Sequence, residues 1–253
     1  MCYRAKGIMK QSQAIIERIR RVNAAYQHLE IAVDEAVQRI KAGQSLLARL
    51  TDGWSPYLRE HWWPVGAAGN HLIIERPGNI AYEPGQVVDL LGPVGQPFRF
   101  RRTLRNVLFI AYDTPPTPLL MTIPALLGNN VSVSLALLGT ARDYHTGHLP
   151  AEVEILRGDD DLHWPNQVMT FGWADQIFVT VHPYQELENF NRIIQLIQNL
   201  RADVPKSYVF GVFQHVLPCG VGACHACMLQ TLDGLKLACQ EGPAFDLTRV
   251  VLS

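Results

Sequence analysis

Four cysteines crowd into residues 217–239, near the C-terminal end of this sequence. The stretch reads LPCGVGACHACMLQTLDGLKLAC. Cys219, Cys224 and Cys227 stand at C-x4-C-x2-C, and Cys239 follows after eleven intervening residues. This is the ligand spacing of plant-type [2Fe-2S] clusters. A chain with this spacing must build a loop that folds back on itself and presents four thiolates to two irons.

The residues between the cysteines suit such a loop. Gly220 and Gly222 allow positive φ angles, and together with the small Ala223 they let backbone N–H groups approach the sulfur atoms. After a turn at 232–234, the strand-like run LKLAC returns the fourth cysteine to the others. We therefore predict that all four cysteines are cluster ligands.

Other uses of the cysteines remain open at this point. A structural zinc site more often pairs two C-x2-C knuckles, and the x4 interval fits that pattern poorly. Buried free cysteines or a disulfide framework explain the crowding less well. His225 could replace one ligand as in a Rieske centre, but a well-spaced cysteine would then be idle. Cys2 lies outside the pattern and is interpreted as an incidental thiol.

Composition excludes some classes of function. The 253 residues are 48% hydrophobic with a net charge of −1, which is typical of one to three globular domains and gives no bulk attraction to nucleic acid. Apolar runs such as NVLFIAYD end well before the roughly 20 residues of a membrane span. The first residues, MCYRAKGIMKQSQ, lack an apolar signal segment, so we expect a cytoplasmic, reducing location.

Strand patterns predict two further units. Residues 15–36 are ambiguous, and propensity favours a helix weakly. QSLLARL, HLIIERP and QVVDLLGP read as short strands separated by turns, which is typical of a small barrel. NVLFIAYD, NNVSVSLALLG and QIFVTVHP are nearly continuous apolar strands, as in a parallel α/β unit. A helix should follow, with its apolar face formed by Leu187, Ile193, Ile194, Leu196, Ile197 and Leu200.

This order of units resembles the electron-transfer subunits of dihydroorotate dehydrogenase, in the ferredoxin-reductase superfamily. The resemblance is carried by LPCGVGACHACMLQTLDGLKLACQEGPAFD, by EPGQVVDLLGPVGQPF at 83–98, and by KAGQSLLARL and PYLRE within 41–60. It implies four parts, and it places a barrel strand within 15–36, against the propensity. The parts are an N-terminal extension (1–24), a flavin-domain-like antiparallel β-barrel (25–102), an NAD-domain-like α/β unit (103–204) and the [2Fe-2S] module (205–253).

The resemblance implies FAD on the barrel, but the flavin segment departs from the family pattern. Arg59 is in place and the expected Ser is missing, while Glu60 brings negative charge to the site of a pyrophosphate. Gly78 alone survives from the second phosphate-contacting segment. Arg59, Gly78 and the turn GPVGQPF are therefore the candidate flavin contacts. Trp62 and Trp63 either stack on a flavin or belong to the barrel core.

The nicotinamide site departs further. A dinucleotide pocket needs a glycine-rich turn between strand and helix, whose backbone N–H groups reach the phosphates. Residues 111–118, AYDTPPTP, contain no glycine, three prolines that lack an N–H, and a carboxylate. Of the family's Cys-Gly-Pro turn only Pro183 remains. We expect NAD(H) binding to be lost.

The sequence thus predicts a [2Fe-2S] electron-transfer subunit of an oxidoreductase complex, with no catalytic residue of its own. The resemblance implies a separate flavoprotein catalytic subunit of the dihydroorotate dehydrogenase type, hence a hetero-oligomer serving pyrimidine biosynthesis. Two alternatives stay open: a complete FAD-containing [2Fe-2S] reductase, and a redox-silent scaffold with a structural metal site. RFRRTLR at 99–105 is either a dock for an acidic partner or a solvated linker.

Overall fold

The computed structural model describes residues 10–51, 57–201 and 203–252. Cys2 lies outside these residues. The strands are β1 (Lys10–Arg21), β2 (Tyr26–Ala32), β3 (Ser45–Leu50), β4 (Glu60–Trp62), β5 (Pro64–Ala68), β6 (His71–Pro77), β7 (Val87–Val94), β8 (Asn106–Tyr112), β9 (Ser132–Leu138), β10 (Glu154–Arg157), β11 (Gln176–Val181), β12 (Val209–Val212), β13 (Met228–Thr231), β14 (Gly234–Leu237) and β15 (Ala244–Asp246). The α-helices are α1 (Glu35–Gln38), α2 (Thr117–Leu120), α3 (Ile123–Gly128), α4 (Gln167–Trp173), α5 (Glu186–Leu200) and α6 (Ala238–Glu241), and 3-10 turns cover Gly139–Asp143 and Pro183–Gln185.

An antiparallel sheet of seven strands forms the first unit. Its strand order is β4-β3-β7-β1-β2-β6-β5. The two edge strands, β4 and β5, are separated in the chain only by Trp63, so the sheet must curl until its edges approach each other. Alternate residues such as Ala14 and Ile16 point inwards and are fully buried, which gives the curled sheet its own apolar core.

The weak helical prediction for residues 15–36 is wrong. Most of this segment belongs to β1 and β2, an antiparallel pair in which Ile19 lies opposite Leu29. Pairing with β7 on one side and β6 on the other overrides local propensity. The barrel sheet accordingly begins at Lys10, inside the segment 1–24 that the resemblance assigned to an N-terminal extension. The boundaries near 102 and 204 stay predictions.

The second unit is a mixed sheet with apolar layers on both faces. Its order is β10-β9-β8-β11-β12-β15, and only β15 is antiparallel to its neighbour. In β8, Leu108 and Ile110 face the layer of α4 and α5, whereas Val107 and Phe109 face the layer of α2 and α3. Both faces are covered, as the continuous apolar strands predicted.

Helix α5 lies largely as its sequence pattern predicted. Ile193, Ile194 and Ile197 are buried against the sheet, and Leu196 and Leu200 pack at the margin of that layer. Leu187 departs from the expected face and is 41% exposed. None of the described helices combines the length and apolar character that crossing a bilayer requires.

The C-terminal module joins both larger units. The hairpin of β13 and β14 leads into α6 and then into β15, which extends the mixed sheet. On its other side, Leu217, Cys227 and Cys239 pack against Leu47 and Val94 of the barrel. The cysteine loop is therefore held where the two units meet.

Candidate iron-sulfur site and the surfaces around it

The loop that carries three of the cysteines turns through left-handed backbone positions. Gly220, Gly222 and His225 have φ angles of 66°, 76° and 58°. The packing at Gly220 also excludes a side chain, since a Cβ there would come within 2.8 Å of the Leu47 Cδ1 atom. These turns carry residues 223–226 to the surface while Cys227 points inwards.

The four cysteine thiols are arranged as two pairs. The Cys219 thiol interacts with that of Cys224, and the Cys227 thiol with that of Cys239. Among the described residues, no three cysteine sulfurs lie within 4.8 Å of one another, as ligands of a single ion would. Two pairs are the arrangement that two irons with two thiolates each require. The structure therefore brings together all four residues predicted as ligands, in a form that fits a two-iron cluster.

The two pairs differ in exposure. Cys224 is exposed and Cys219 partly so, whereas Cys227 and Cys239 are each only 2% exposed. Burial raises the pKa of Cys219, but hydrogen bonds from backbone N–H groups, including those of Val221 and Ala223, and from Cys224 outweigh it and lower the pKa to about 7. The Cys219 sulfur thus already lies in a field that favours thiolate.

The inner pair is different. Burial and the neighbouring Cys227 raise the pKa of Cys239 to about 12, and the Gly222 N–H offsets this only in part. A bound metal ion deprotonates a coordinating thiol outright. The Cys239 thiol therefore needs the positive charge of a metal to become a ligand, which couples its part in the site to metal binding.

Backbone contacts fix the module to the barrel. The N–H of Gly95 donates to the Cys239 carbonyl at 3.0 Å, and the N–H of Gln96 donates to the Gly242 carbonyl at 2.6 Å. The Gln96 side chain adds a third bond, to the Gln240 carbonyl at 2.8 Å. The turn GPVGQPF, a candidate flavin contact by sequence, thus holds the cysteine module.

The other two candidate flavin contacts have protein partners. The Arg59 guanidinium donates to Asp89 Oδ2 at 2.7 Å, within a strand-to-strand ion pair of the barrel. The Gly78 N–H donates to the Ala25 carbonyl at 2.7 Å, where its lack of a side chain lets two turns approach. Both residues serve the barrel's own structure.

Both tryptophans of the flavin segment lie in cores. Trp62 is 2% exposed inside the barrel, with the Arg76 guanidinium 5.0 Å from its ring centre, and Glu60 forms an ion pair with Arg76. Trp63 is 7% exposed and packs in the layer next to the mixed sheet, with the His61 ring 4.6 Å away. The core interpretation of the sequence therefore describes these rings, and neither presents a stacking face to solvent.

The turn after β8 is occupied by a carboxylate of the protein. Asp113 has a φ of 55°, and its Oδ1 accepts the N–H of Thr140 at 2.9 Å. The following helix, α2, is a single turn that begins after Pro116 and contains Pro118. A backbone donor that could face a phosphate is thus already bound to Asp113, and the prolines supply none.

The arginine-rich stretch 99–105 is partly built into the fold. Arg101 donates to the backbone carbonyls of Asp175 and Lys206, at 3.0 and 3.1 Å, and so ties the start of the mixed sheet together. Arg99, Arg102 and Arg105 have exposed side chains. The stretch is a connection with one anchored arginine and three exposed ones.

An apolar cleft lies beside the cysteine loop, and sequence reasoning missed it. It has a volume of about 900 Å³ and runs between the start of α5 and the loop. Tyr184, Val216 and Met228 line it with exposed fractions of 89%, 70% and 46%. Pro218 and Ala226, which flank two of the cysteines, line it as well. Apolar residues next to ligand positions were the signal that could have located this surface.

Comparison with known proteins finds a family match for the cysteine module. Residues 215–251 match the family model described as the iron-sulfur cluster binding domain of dihydroorotate dehydrogenase B. The chain is 23% identical over 176 residues to the electron transfer subunit of dihydroorotate dehydrogenase B (NAD(+)) from Clostridium perfringens (strain 13 / Type A). That match spans 64% of this chain and 65% of the relative, slightly under two thirds of each.

Solved structures share the fold over more of the chain. One is the structure of the NADH-dependent reduced ferredoxin-NADP oxidoreductase, described for flavin-based electron bifurcation. It has a TM-score of 0.72 at 16% identity, and the match covers 94% of this chain and 90% of that one. The ferredoxin reductase of carbazole 1,9a-dioxygenase gives 0.61 at 12% identity, covering 82% and 68%. At these identities the likeness concerns the fold, which is ferredoxin-reductase-like.

These findings confirm the expected resemblance and support an iron-sulfur electron-transfer role with a [2Fe-2S] cluster. Flavin reductases among the structural neighbours make FAD consistent with the fold, although the candidate contacts are bound to protein groups. The chain is similar to the electron transfer subunit of dihydroorotate dehydrogenase B, with a C-terminal segment that matches the iron-sulfur domain of that type and a ferredoxin-reductase-like fold.

Proposed function

We propose that this chain is a one-electron relay subunit that passes electrons between a flavoprotein partner and its own [2Fe-2S] cluster. The observation that carries the proposal is the arrangement of Cys219, Cys224, Cys227 and Cys239 as one exposed and one buried pair. A cluster held in this way changes oxidation state without making or breaking substrate bonds. The protein contributes ligation, burial and docking.

The exposed pair sets the direction from which a partner approaches. Cys224 lies at the surface, and the apolar cleft begins at the neighbouring residues Ala226 and Met228. Exposed apolar surface next to a charged, redox-active loop is typical of a docking surface. We assign this cleft to the flavoprotein catalytic subunit, which in the matched relative is a dihydroorotate dehydrogenase.

Loss of the nicotinamide site is part of the proposal. Asp113 occupies the turn after β8 and binds the Thr140 N–H, and Pro115 and Pro116 follow it. A phosphate at this turn would meet a carboxylate and few free donors. Electrons therefore enter and leave through protein partners.

Composition of the purified protein is the first test. We expect two irons and two acid-labile sulfides per chain after purification without oxygen, and an electron paramagnetic resonance signal on reduction that disappears on reoxidation. We also expect no hydride transfer from NADH or NADPH. One bound flavin together with hydride transfer would contradict the relay and support a complete reductase, and a cluster that no reductant changes would support the scaffold alternative.

The docking assignment has a separate test. Val216→Glu places a charge in the cleft without touching a ligand, and we expect it to slow reoxidation of the reduced cluster by a purified dihydroorotate dehydrogenase B catalytic subunit by about tenfold or more. Leu232→Glu is the matched control, because Leu232 is 67% exposed and does not line the cleft. Equal rates for the two variants would contradict the assignment.

A further inference from the structure

A second cluster of metal-ligating side chains lies far in sequence from the cysteines, where the barrel meets the mixed-sheet unit. His28 of β2 and Glu75 of β6 stand directly opposite each other in the strand register. His148 reaches them from the segment after the turn Gly139–Asp143. The Nε2 atoms of His28 and His148 lie 3.5 and 3.8 Å from Glu75 Oε2, and the three ligand atoms lie within 4.8 Å of one another.

The cluster is removed from solvent. The side chains of Glu75, His28 and His148 are 1%, 7% and 17% exposed. The Nε2 atom of His28 is fully buried and has no hydrogen-bond partner among the described residues, although it points towards the carboxylate. A buried polar atom without a partner is costly, and a metal ion would satisfy it.

Two hydroxyl groups orient the carboxylate. Thr117 Oγ1 donates to Glu75 Oε1 at 2.7 Å, and the Tyr144 hydroxyl donates to Oε2 at 2.7 Å. Hydrogen bonds of this kind from outside the ligand set are what fix ligating carboxylates in metal sites.

We propose that His28, Glu75 and His148 bind a divalent transition-metal ion of the zinc type. Two imidazole nitrogens and one carboxylate oxygen form a ligand set that suits zinc, with an open fourth position. Ligands at about 2.0–2.1 Å from a tetrahedral ion are roughly 3.3–3.4 Å apart, so the two nitrogen-to-carboxylate separations of 3.5 and 3.8 Å need to close by only a few tenths of an ångström. Such an ion would join the barrel to the second unit, independently of the cysteine site.

Two neighbours oppose binding and must move. The Tyr144 hydroxyl lies 3.2 Å from His148 Nε2 as well as 2.7 Å from Glu75 Oε2, so it must give up its contact with the histidine nitrogen. Arg20 Nη2 lies 3.3 Å from His28 Nδ1, a contact that suits an unprotonated Nδ1. A metal on Nε2 leaves the proton on Nδ1 instead. Arg20 has an exposed side chain, so it can turn away into water when the ion binds.

Zinc binding to the cluster-loaded protein tests the proposal. Equilibrium dialysis should give one zinc per chain, with iron measured at each point so that zinc replacing iron at the cysteines is not counted. At zinc a hundredfold above its Kd, we expect Tm to rise by about 5–10 °C. Cobalt in place of zinc should give a d–d absorption spectrum without a thiolate charge-transfer band.

His148→Gln is the informative variant, because His148 is the least buried ligand and its replacement is the least disruptive to folding. It should lose the zinc and the Tm rise, while His163→Gln, at an exposed histidine, should keep both. Failure of the parent protein to bind zinc, binding that survives His148→Gln, or a thiolate band with cobalt would each overturn the proposal. None of these results depends on electron transfer by the cysteine cluster.

Discussion

Two turns of this protein handle negative charge in opposite ways. The loop 219–227 directs backbone N–H groups at cysteine sulfur, and left-handed residues such as Gly222 make that possible. In the turn 111–118 after β8, the carboxylate of Asp113 accepts the N–H of Thr140, a residue of the turn that follows β9. The first turn is open to an anionic metal cluster, and the second is filled by an anion of the protein itself.

The difference teaches that fold and binding site can change independently. The mixed sheet, its two apolar layers and its strand order are intact around the closed turn. Packing of Val107, Leu108, Phe109 and their neighbours defines the sheet and does not need the donors at its edge. Similarity of fold therefore predicts the packing of the scaffold and of the iron-sulfur module. It does not predict whether a nucleotide binds, which depends on the contacts made by the residues of each site.

Removal of one predicted ligand from the loop 219–227 should have the largest effect on the site. Cys224→Ser replaces an exposed thiolate, and we expect bound iron to fall from two per chain to near zero because a hydroxyl is a poor ligand for this cluster. Iron and acid-labile sulfide assays together with the visible spectrum measure the loss. Cys2→Ser, outside the spacing pattern, should leave iron unchanged, and equal iron in both variants would contradict the ligand assignment.

A side chain at Gly220, in the loop 219–227, should also destabilise the protein. Gly220→Ala meets a φ of 66° and a close contact with Leu47, and we expect the free energy of unfolding to fall by about 2–4 kcal/mol. Gly69→Ala is the matched control, since Gly69 has a φ of 60° with nothing within 4 Å of an added Cβ. Denaturant unfolding should show a loss of only about 1–2 kcal/mol there. Equal losses would mean that the loop does not press on the barrel.

The stability of the turn 111–118 should depend on the Asp113 carboxylate, and different substitutions there should cost different amounts of free energy. Asp113→Ala removes the acceptor for the Thr140 N–H and places alanine at a φ of 55°, so we expect a loss of about 2 kcal/mol in the free energy of unfolding. Asp113→Asn keeps an acceptor and tolerates this backbone conformation, and it should lose about 0.5 kcal/mol or less. Thermal unfolding of both variants compares them. An equally large loss in Asp113→Asn would show that charge, rather than the hydrogen bond, closes the turn.

Much of the fold was predictable because its signals are local. Continuous apolar strands such as β8 and β11 follow from runs of buried residues, and the apolar face of α5 follows from its period. The helical prediction for residues 15–36 failed because β1 owes its structure to pairing with β7, which lies far along the chain. Single-sequence patterns do not register such distant partners.

The candidate site likewise has features that the local sequence predicts and features that depend on distant segments. The grouping of the four cysteines could be predicted because cluster geometry dictates the spacing of such ligands in the chain. The contacts of Arg59 and Gly78 could not be predicted, because their partners Asp89 and Ala25 lie in other strands or turns. The cluster of His28, Glu75 and His148 was invisible for the same reason, as three separate segments supply it.

A third region, β4, offers the mildest test of the comparison between the cysteine loop and the segments that resemble nucleotide sites. His61 packs against Trp63 where the flavin segment would lie, and its Nε2 lies 2.5 Å from Ser45 Oγ. Burial lowers the pKa of His61 to about 4, and this effect outweighs a hydrogen bond with the His215 backbone, which raises it. The ring is therefore neutral in the folded protein across the range where an unfolded chain, with a pKa near 6.5, takes up a proton.

The sign of the pH effect follows from that depressed pKa. As pH falls from about 6.5 towards 4, the unfolded state binds the proton first, so this histidine lowers the free energy of unfolding, by about 1–2 kcal/mol between pH 7 and pH 5. Urea unfolding at the two pH values should show this loss in the parent protein and in His145→Gln, an exposed control, but not in His61→Gln. A loss in His61→Gln as large as that in the parent protein would mean that the pKa of this ring is not depressed and that the ring is accessible to water. The flavin segment would then be open in solution, and the contrast with the cysteine loop would hold only for the turn after β8.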